Sequence, residues 1–224
     1  MKKISFLNHK GGVGKTTLCT NISRAFLIKE ENQKILLIDS DPQGSLRDWK
    51  NALDKGHDHY RIDTIAADRK RMLENIPHVL KDSSYDFVFI DTPGDINDLH
   101  GAALYMSDLV IIPIRPSPYD IWASEDTIKL VRSARQFNKK LKAAIVINQA
   151  IHNTKIHKEV TELLKSYDDF FIAETAIHHR VSFARTASMG LTVFDESHGA
   201  IDIAASCEIS SLSFELIKYL NGGV

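Results

Sequence analysis

Apolar positions along the chain switch repeatedly between short uniform runs and longer amphipathic stretches. Lys2–Asn8 predicts a buried strand, and a glycine-rich turn then leads into a helix over about Thr16–Glu30. Ile35–Ile38 is too short and too uniformly branched for a helix and predicts a second strand. Phe87–Ile90, Leu109–Ile114 and Ala143–Ile147 predict further strands, with a weaker one at Tyr60–Ile65. Between them, helical periodicity falls near Ser45–Leu53, Arg69–Lys81, Ile121–Phe137 and Lys155–Ser166, and a last helix runs over about Ala200–Leu220. Strands that are apolar throughout are covered on both faces, and strands alternating with helices imply crossover units. The pattern therefore predicts an α/β fold: a single doubly wound, mostly parallel sheet flanked by helices. Such sheets bind ligands beyond the carboxyl ends of their strands.

Composition narrows the class. At 224 residues, 43% hydrophobic, 25% charged and 8% aromatic, the chain is expected to fold as one globular domain spanning 1–224. Two cysteines, Cys19 and Cys207, are too few for a disulfide framework or a four-ligand zinc site, and they fit a reducing cytoplasm. The apolar start at Ile4–Leu7 is cut off by Asn8, His9 and Lys10, so it does not read as a secretory leader, and no run is long enough to span a membrane. With 28 basic and 29 acidic residues the net charge is −1, which excludes a wholly basic coat but not a local basic face.

The chemistry sits after the strands. His9-Lys10-Gly11-Gly12-Val13-Gly14-Lys15-Thr16-Thr17 joins the first strand to the first helix. Small residues let backbone amides wrap a triphosphate while the helix aims its positive end at the same anion. Lys15 is placed to reach the β- and γ-phosphates, and the Thr16 hydroxyl to complete a Mg²⁺ shell. After the second strand come Asp39 and Asp41, in Asp39-Ser40-Asp41-Pro42-Gln43-Gly44. Acidic groups at an apolar strand end need a partner, and a metal or an oriented water supplies one. Phe87–Ile90 runs into Asp91-Thr92-Pro93-Gly94, a Walker B pattern whose carboxylate holds Mg²⁺ directly or through water. Ala143–Ile147 delivers Asn148 to the same edge, where its amide suits a purine or simply ends the strand.

One departure from the common phosphate loop is informative: His9 stands where that loop has glycine, and Lys10 precedes the paired glycines. This resembles the deviant Walker A loop of the ParA/MinD ATPases, closest to the short, ParF-like plasmid-partition subgroup. The resemblance runs from Lys2 into the last helix, through Asp39–Gln43, Asp91–Gly94, the Pro116-Ser117-Pro118-Tyr119-Asp120 stretch, Thr175-Ala176-Ile177 with Arg180, and Val193-Phe194-Asp195-Glu196. It implies an ATPase, weak alone and stimulated by a partner, with ATP and Mg²⁺ as cofactors. It implies that Lys10 reaches across a nucleotide-dependent homodimer to the other subunit's phosphates. Asp41 is implied to position the attacking water, Asp39 to lie near the metal's water shell, and Asn148 to contact adenine. Asp39, Asp41, Pro42 and Gln43 match the first switch, and Asp91, Thr92, Pro93 and Gly94 the second. The short subgroup lacks an N-terminal helix-turn-helix, and no room for one is expected here.

The implied partners are a ParB-like or small DNA-binding adaptor protein and non-specific DNA, with the protein cytoplasmic and nucleoid-associated. Charge distribution bears on the DNA reading: Lys129–Arg185 holds eleven basic residues against five acids. Lys139, Lys140, Arg180 and Arg185 are the candidate DNA contacts, and an ordinary solvated surface is the competing reading. A membrane-placed MinD-like regulator is the alternative, but it wants a basic amphipathic final helix, and Glu208–Leu220 carries one lysine against two acids. An iron-protein-type reductase lacks suitably placed cysteines, a capsule-type tyrosine kinase lacks a tyrosine-rich tail, and the intact loop speaks against a non-catalytic DNA-binding module. His57-x-His59 and His178-His179 are weak metal candidates, Cys19 reads as a packed thiol, and Trp49 and Trp122 as packing or interface residues.

Overall fold

Successive apolar residues in each short run point to opposite faces of one sheet, and both faces are covered. In the computed structural model, which describes residues 1–30, 32–53, 61–81, 83–94, 98–151, 156–197 and 199–223, the strands are β1 (Lys2–Phe6), β2 (Ile35–Asp39), β3 (Ile62–Ala66), β4 (Phe87–Asp91), β5 (Leu109–Ile114), β6 (Lys142–Ala150), β7 (Phe171–Ile172) and β8 (Ile177–His178). They are parallel, in the order β3-β2-β4-β1-β5-β6-β7, with β8 added beside the far end of β6. The helices are α1 (Lys15–Lys29), α2 (Ser45–Leu53), α3 (Ile76–Lys81), α4 (Asp98–Met106), α5 (Pro118–Ala134), α6 (Ile156–Leu164), α7 (Val181–Ser188) and α8 (Ile203–Leu220).

Leu37 of β2 packs into the core under α1, α2 and α8, with Phe26, Trp49 and Leu212. Its neighbour Ile38 packs into the opposite core, against Met72, Ile76 and Ala103. A third cluster joins Val110, Ile112 and Ile145 to Ile128 and Val131 of α5. That division is the physical reason for the uniformly apolar strands. Trp49 is buried and donates its indole N–H to the Leu191 carbonyl at 3.0 Å, so its packing role holds. Cys19 is fully buried among the same core residues.

The differences from the expected elements have local causes. The Arg69–Lys81 helix contains a wider π turn at Arg71–Asn75 directly before Pro77. Proline lacks the amide that would bond four residues back and crowds that carbonyl, and a widened turn relieves both problems. Helices α4 and α7 and the two-residue strands β7 and β8 had no counterpart in the periodicity. Helix α4 buries His100, Ala102, Ala103, Leu104 and Met106 on a broad front, which blurs any amphipathic stripe. His57, His59 and Lys155 lie outside the described residues.

Candidate nucleotide site

The ends of β1, β2, β4, β5 and β6 converge on one edge of the sheet, and the loop after β1 lies across it. Gly12 (φ 71°) and Gly14 (φ 92°) occupy left-handed backbone that favours glycine. Gly14 stands at the N-cap of α1, so the free amides of that helix open into the loop. Asn8 anchors the loop's start: its amide donates to the Pro113 carbonyl (2.8 Å) and Ser124 Oγ (3.0 Å), and its side-chain oxygen accepts from the Lys10 amide (3.0 Å). Buried Lys15 folds back, donating to the carbonyls of Asn8 (2.9 Å) and Lys10 (3.3 Å).

Three side chains from the neighbouring strand ends hold the loop's carbonyls outward. Asn148 donates to the Val13 carbonyl at 2.7 Å, Gln149 to that of Gly12 at 2.9 Å, and Arg115 also bonds the Gly12 carbonyl. With the carbonyls tied back, the amides are left to face phosphate. Gln149 reaches its target from a φ of 58°, a rare conformation for a non-glycine residue. Gln149→Gly relieves that backbone cost but removes the tether, so the expected result is near-unchanged thermal stability with nucleotide affinity about fivefold weaker, from the loss of roughly 1 kcal/mol of hydrogen bonding. Titration with a fluorescent ATP analogue checks it.

Three carboxylates stand at or just beyond the carboxyl ends of β2 and β4. Asp39 and Asp91 pair in register at the ends of β2 and β4. Asp91 is wholly buried; its Oδ2 accepts from Thr16 Oγ1 at 2.6 Å, and its Oδ1 is a buried oxygen with no hydrogen-bond partner among the described residues. Burial pushes its pKa up to about 7; the Thr16 hydroxyl and Lys15 pull down, while Asp39 and Asp41 push up. Asp39 is also raised by burial, although it accepts the backbone amides of Arg47 (3.0 Å) and Asp41 (3.1 Å). Asp41 accepts the Gln43 amide at 2.9 Å, beside a cavity of about 350 Å³ lined by Asp39, Ser40, Asp41, Arg47 and Arg71. The orphaned Asp91 oxygen, the Thr16 hydroxyl and Asp39 make a hard-oxygen donor set that fits Mg²⁺ carrying several waters and phosphate oxygens.

Because Asp91 is raised on folding, it favours the metal-free fold below the unfolded value near 4 and withdraws that support as pH rises through about 7. The expected result, in EDTA, is that Asp91→Asn gains thermal stability over the parent chain at pH 8 and shows no gain at pH 4. Scanning calorimetry at the two pH values checks it.

The segment expected as the second switch, Asp91–Gly94, lies against the loop. Thr92 Oγ1 donates to the Phe6 carbonyl at 2.7 Å, and a Cβ on Gly94 would lie 3.3 Å from Gly11 Cα. The ring of buried His100 meets the Pro93 carbonyl at 3.1 Å. Sequence reasoning missed His100, because α4 itself was not legible. Lys10 lies at the loop's mouth, 2.5 Å from Asp120 of α5 within the same chain. The first turns of α5 present Tyr119 (74% exposed) and Trp122 (64% exposed) edge to face beside that pair.

A pocket of about 190 Å³ beside Asn148 is lined by Gly14, Thr17, Gln149, His178 and Phe183 among others, and is sized for a base. Its far wall depends on Glu208 of α8, which accepts the His178 amide (3.0 Å), meets the His178 ring (2.9 Å) and pairs with Arg180 (2.7 Å). Arg180, a candidate DNA contact, is half-buried here and paired with Glu208 at the nucleotide edge. The basic segment also fails to form one face. Arg132 and Arg135 both pair with Asp169. Lys139 and Lys140 precede β6, whereas Arg180 and exposed Arg185 follow β8, which pairs beyond Asn148. Six residues of strand separate the two groups by about 20 Å.

Strand, glycine loop, helix and strand-end carboxylates in this arrangement define a phosphate-loop nucleoside triphosphatase fold, and the lysine before the paired glycines makes it one of the ParA/MinD-type ATPases. The family model described as VirC1 protein matches residues 1–207, and the chain belongs to that family. It is 32% identical over 218 residues to the maintenance of carboxysome distribution protein A of Halothiobacillus neapolitanus, covering 96% of this chain and 95% of the relative. Among solved structures it resembles a plasmid partition protein of Borrelia burgdorferi B31 bound to AMPPNP (24% identity, TM-score 0.72, 97% and 99% of the two chains). It also resembles the MinD cell division protein of Aquifex aeolicus (20% identity, TM-score 0.75, 97% of each chain).

Proposed function

We propose that this chain is a positioning ATPase that binds Mg-ATP, closes with a second copy across the nucleotide, associates with non-specific DNA, and is released when a DNA- or cargo-bound adaptor stimulates hydrolysis. The observation that carries the reading is Lys10 at the mouth of an otherwise complete phosphate site. Lys15 already serves the loop from within, so a second ammonium held outside it on Asp120 is available to another subunit's nucleotide.

In the proposed reaction Lys15 moves from the loop carbonyls to the β- and γ-phosphates, and the α1 amides hold the same oxygens. Thr16, Asp39 and Asp91 would hold Mg²⁺ directly or through water, and the ion would supply neutralisation of phosphate charge. Asp41 leaves the Gln43 amide and orients water in line with the γ-phosphorus. Lys10 of the other copy and Lys15 stabilise the charge that develops on the transferred phosphoryl group. Asn148 and the Thr17–Phe183 pocket hold adenine. The homology to a carboxysome distribution protein and the likeness to a plasmid partition fold support positioning as the task.

Size-exclusion chromatography with light scattering tests the reading: monomer with ADP, dimer with ATP, and retention on generic duplex DNA that differs between the two. A monomer in every nucleotide state refutes it. The MinD-like membrane alternative gains nothing from α8, whose acids Glu208 and Glu215 are spent on His178, Arg180 and Thr175. Among the described residues no helix is long and apolar enough to cross a membrane. Flotation with anionic vesicles and ATP separates the two readings.

A further inference from the structure

Parallel strands put all their amino ends on one edge, opposite the nucleotide. The residues entering β3, β2, β4, β1, β5 and β6 are joined there by a row of backbone hydrogen bonds. Ile35 donates to the Arg61 carbonyl (3.2 Å), Asp86 to Lys34 (2.9 Å), Lys2 to Asp86 (2.8 Å), Asp108 to Lys3 (2.8 Å) and Lys142 to Asp108 (2.9 Å). The backbones of this row are therefore neighbours along one edge, and their side chains leave it alternately toward the two faces of the sheet. Lys142 spends its ammonium on the Tyr219 carbonyl (2.6 Å), and six further members and flanking residues are cationic: Arg61, Lys34, Lys2, Lys3, Lys139 and Lys140. Five of them are exposed, and Lys3 is half-buried.

The two carboxylates of the row do not neutralise these cations by contact. Asp86 accepts the Lys34 backbone amide at 2.9 Å and Asp108 that of Lys3 at 2.8 Å. Among the described residues none of the six cations forms an ion pair, and Lys34 donates only to Ser84 Oγ at 3.2 Å. Lys139 and Lys140 are held in place: Asn138 donates to the carbonyls of Leu104 (3.0 Å), Tyr105 (3.3 Å) and Ser107 (2.8 Å), fixing the turn against the start of β5. Phe137, 81% exposed, stands in the same turn. Five strand spacings make the strip about 24 Å long, the axial length of about seven base pairs.

We infer that this amino-end strip is the surface that binds polyanionic duplex DNA, through phosphate contacts and without sequence preference. The inference rests on the proposed DNA association and relocates it, since Arg180 is engaged at the nucleotide edge. It carries a consequence for coupling to ATP. A dimer closed across its nucleotides points its two amino edges away from each other, so it cannot lay both on one short duplex. It can hold two segments of a dense DNA mesh, where linked binding multiplies retention. ATP therefore strengthens retention on duplex DNA long or dense enough to offer two segments, which is where the ADP and ATP states differ.

The test uses the full chain, a 30-base-pair duplex of arbitrary sequence read by fluorescence anisotropy, and beads densely coated with plasmid DNA. The triple variant Arg61→Ala, Lys139→Ala, Lys140→Ala is expected to lose at least tenfold in duplex affinity at 100 mM salt. Its slope of log affinity against log salt is expected to shrink by about 2–3, near 0.9 per contact removed. Arg185→Ala is expected to change affinity less than twofold, and ATP turnover is expected to be unaltered in both variants. Normal duplex binding by the triple variant, or loss of it in Arg185→Ala, overturns the placement while leaving the DNA reading standing. A parent chain with no salt-sensitive DNA binding in ADP or ATP defeats the DNA reading itself. Binding to anionic vesicles but not to DNA, lost in the triple variant, assigns the strip to a membrane and overturns the inference.

Discussion

Asp41→Ala is expected to bind Mg-ATP normally, dimerise, and turn over at least a hundredfold more slowly than the parent chain. Asp39 and Asp91 are buried at paired strand ends and committed to backbone amides and the Thr16 hydroxyl. Asp41, two residues beyond β2, is only partly buried, and its described bond is to the amide of Gln43 in its own turn. It is thus the carboxylate of the three that can swing toward an attacking water at little cost to the fold. Removing a group that orients the nucleophile costs on the order of 10²–10⁴ in rate, and it leaves binding by the loop, Lys15 and Thr16 intact. Phosphate release at saturating Mg-ATP gives the rate, and light scattering at the same concentration gives the dimer fraction. Asp41→Asn, which keeps a hydrogen-bond acceptor, is expected to fall between the two. Normal turnover in Asp41→Ala removes this residue from the chemistry and returns the role to Asp39.

The parts of the molecule that were legible in advance are those where one local signal decides the outcome. Two-sided burial writes itself into Ile35–Ile38 and Leu109–Ile114 as unbroken apolar runs, and both strands occur there. Gly12 and Gly14 stand at left-handed backbone positions, and the loop they shape lies against Asp91 and Asn148 as the spacing implied. What escaped notice depends on tertiary contact. His100 matters through the Pro93 carbonyl, which lies on another element, and α4 carries no periodicity to announce it. The pocket beside Asn148 is closed by β8, two residues long, and by Glu208 from a helix thirty residues further on. Arg180 illustrates the limit of charge counting: in sequence it extends a basic segment, whereas in space a carboxylate from α8 takes it. The amino-end strip shows the converse, because Arg61, Lys2 and Lys140 are far apart in the chain and come onto one edge of the sheet only through the strand order.

Lys10→Ala is expected to abolish the ATP-dependent dimer, and Asp120→Asn to promote it. In the single chain the Lys10 ammonium sits 2.5 Å from Asp120, with Lys10 about one-third exposed and Asp120 nearly buried. A lysine that serves another subunit's phosphates must first leave that carboxylate. The partly solvated pair is worth about 1 kcal/mol. Two copies each break one pair on closing, so the cost is about 2 kcal/mol per dimer, or roughly thirtyfold in the dimer dissociation constant. Asp120→Asn keeps the shape of the N-terminal turn of α5 while releasing the lysine, so its ATP-bound dimer should persist to roughly thirtyfold lower protein concentration by analytical ultracentrifugation. The double variant Lys10→Ala, Asp120→Asn should behave as Lys10→Ala alone, because without the ammonium there is nothing for Asp120 to restrain. Nucleotide affinity of the monomer should remain within about twofold in Lys10→Ala, since Lys15 and the α1 amides serve the phosphates from within. An Asp120→Asn dimer no tighter than the parent's shows that the ion pair does not compete with closure. An intact dimer in Lys10→Ala, by contrast, removes the lysine from the interface and leaves an ordinary phosphate-loop nucleoside triphosphatase.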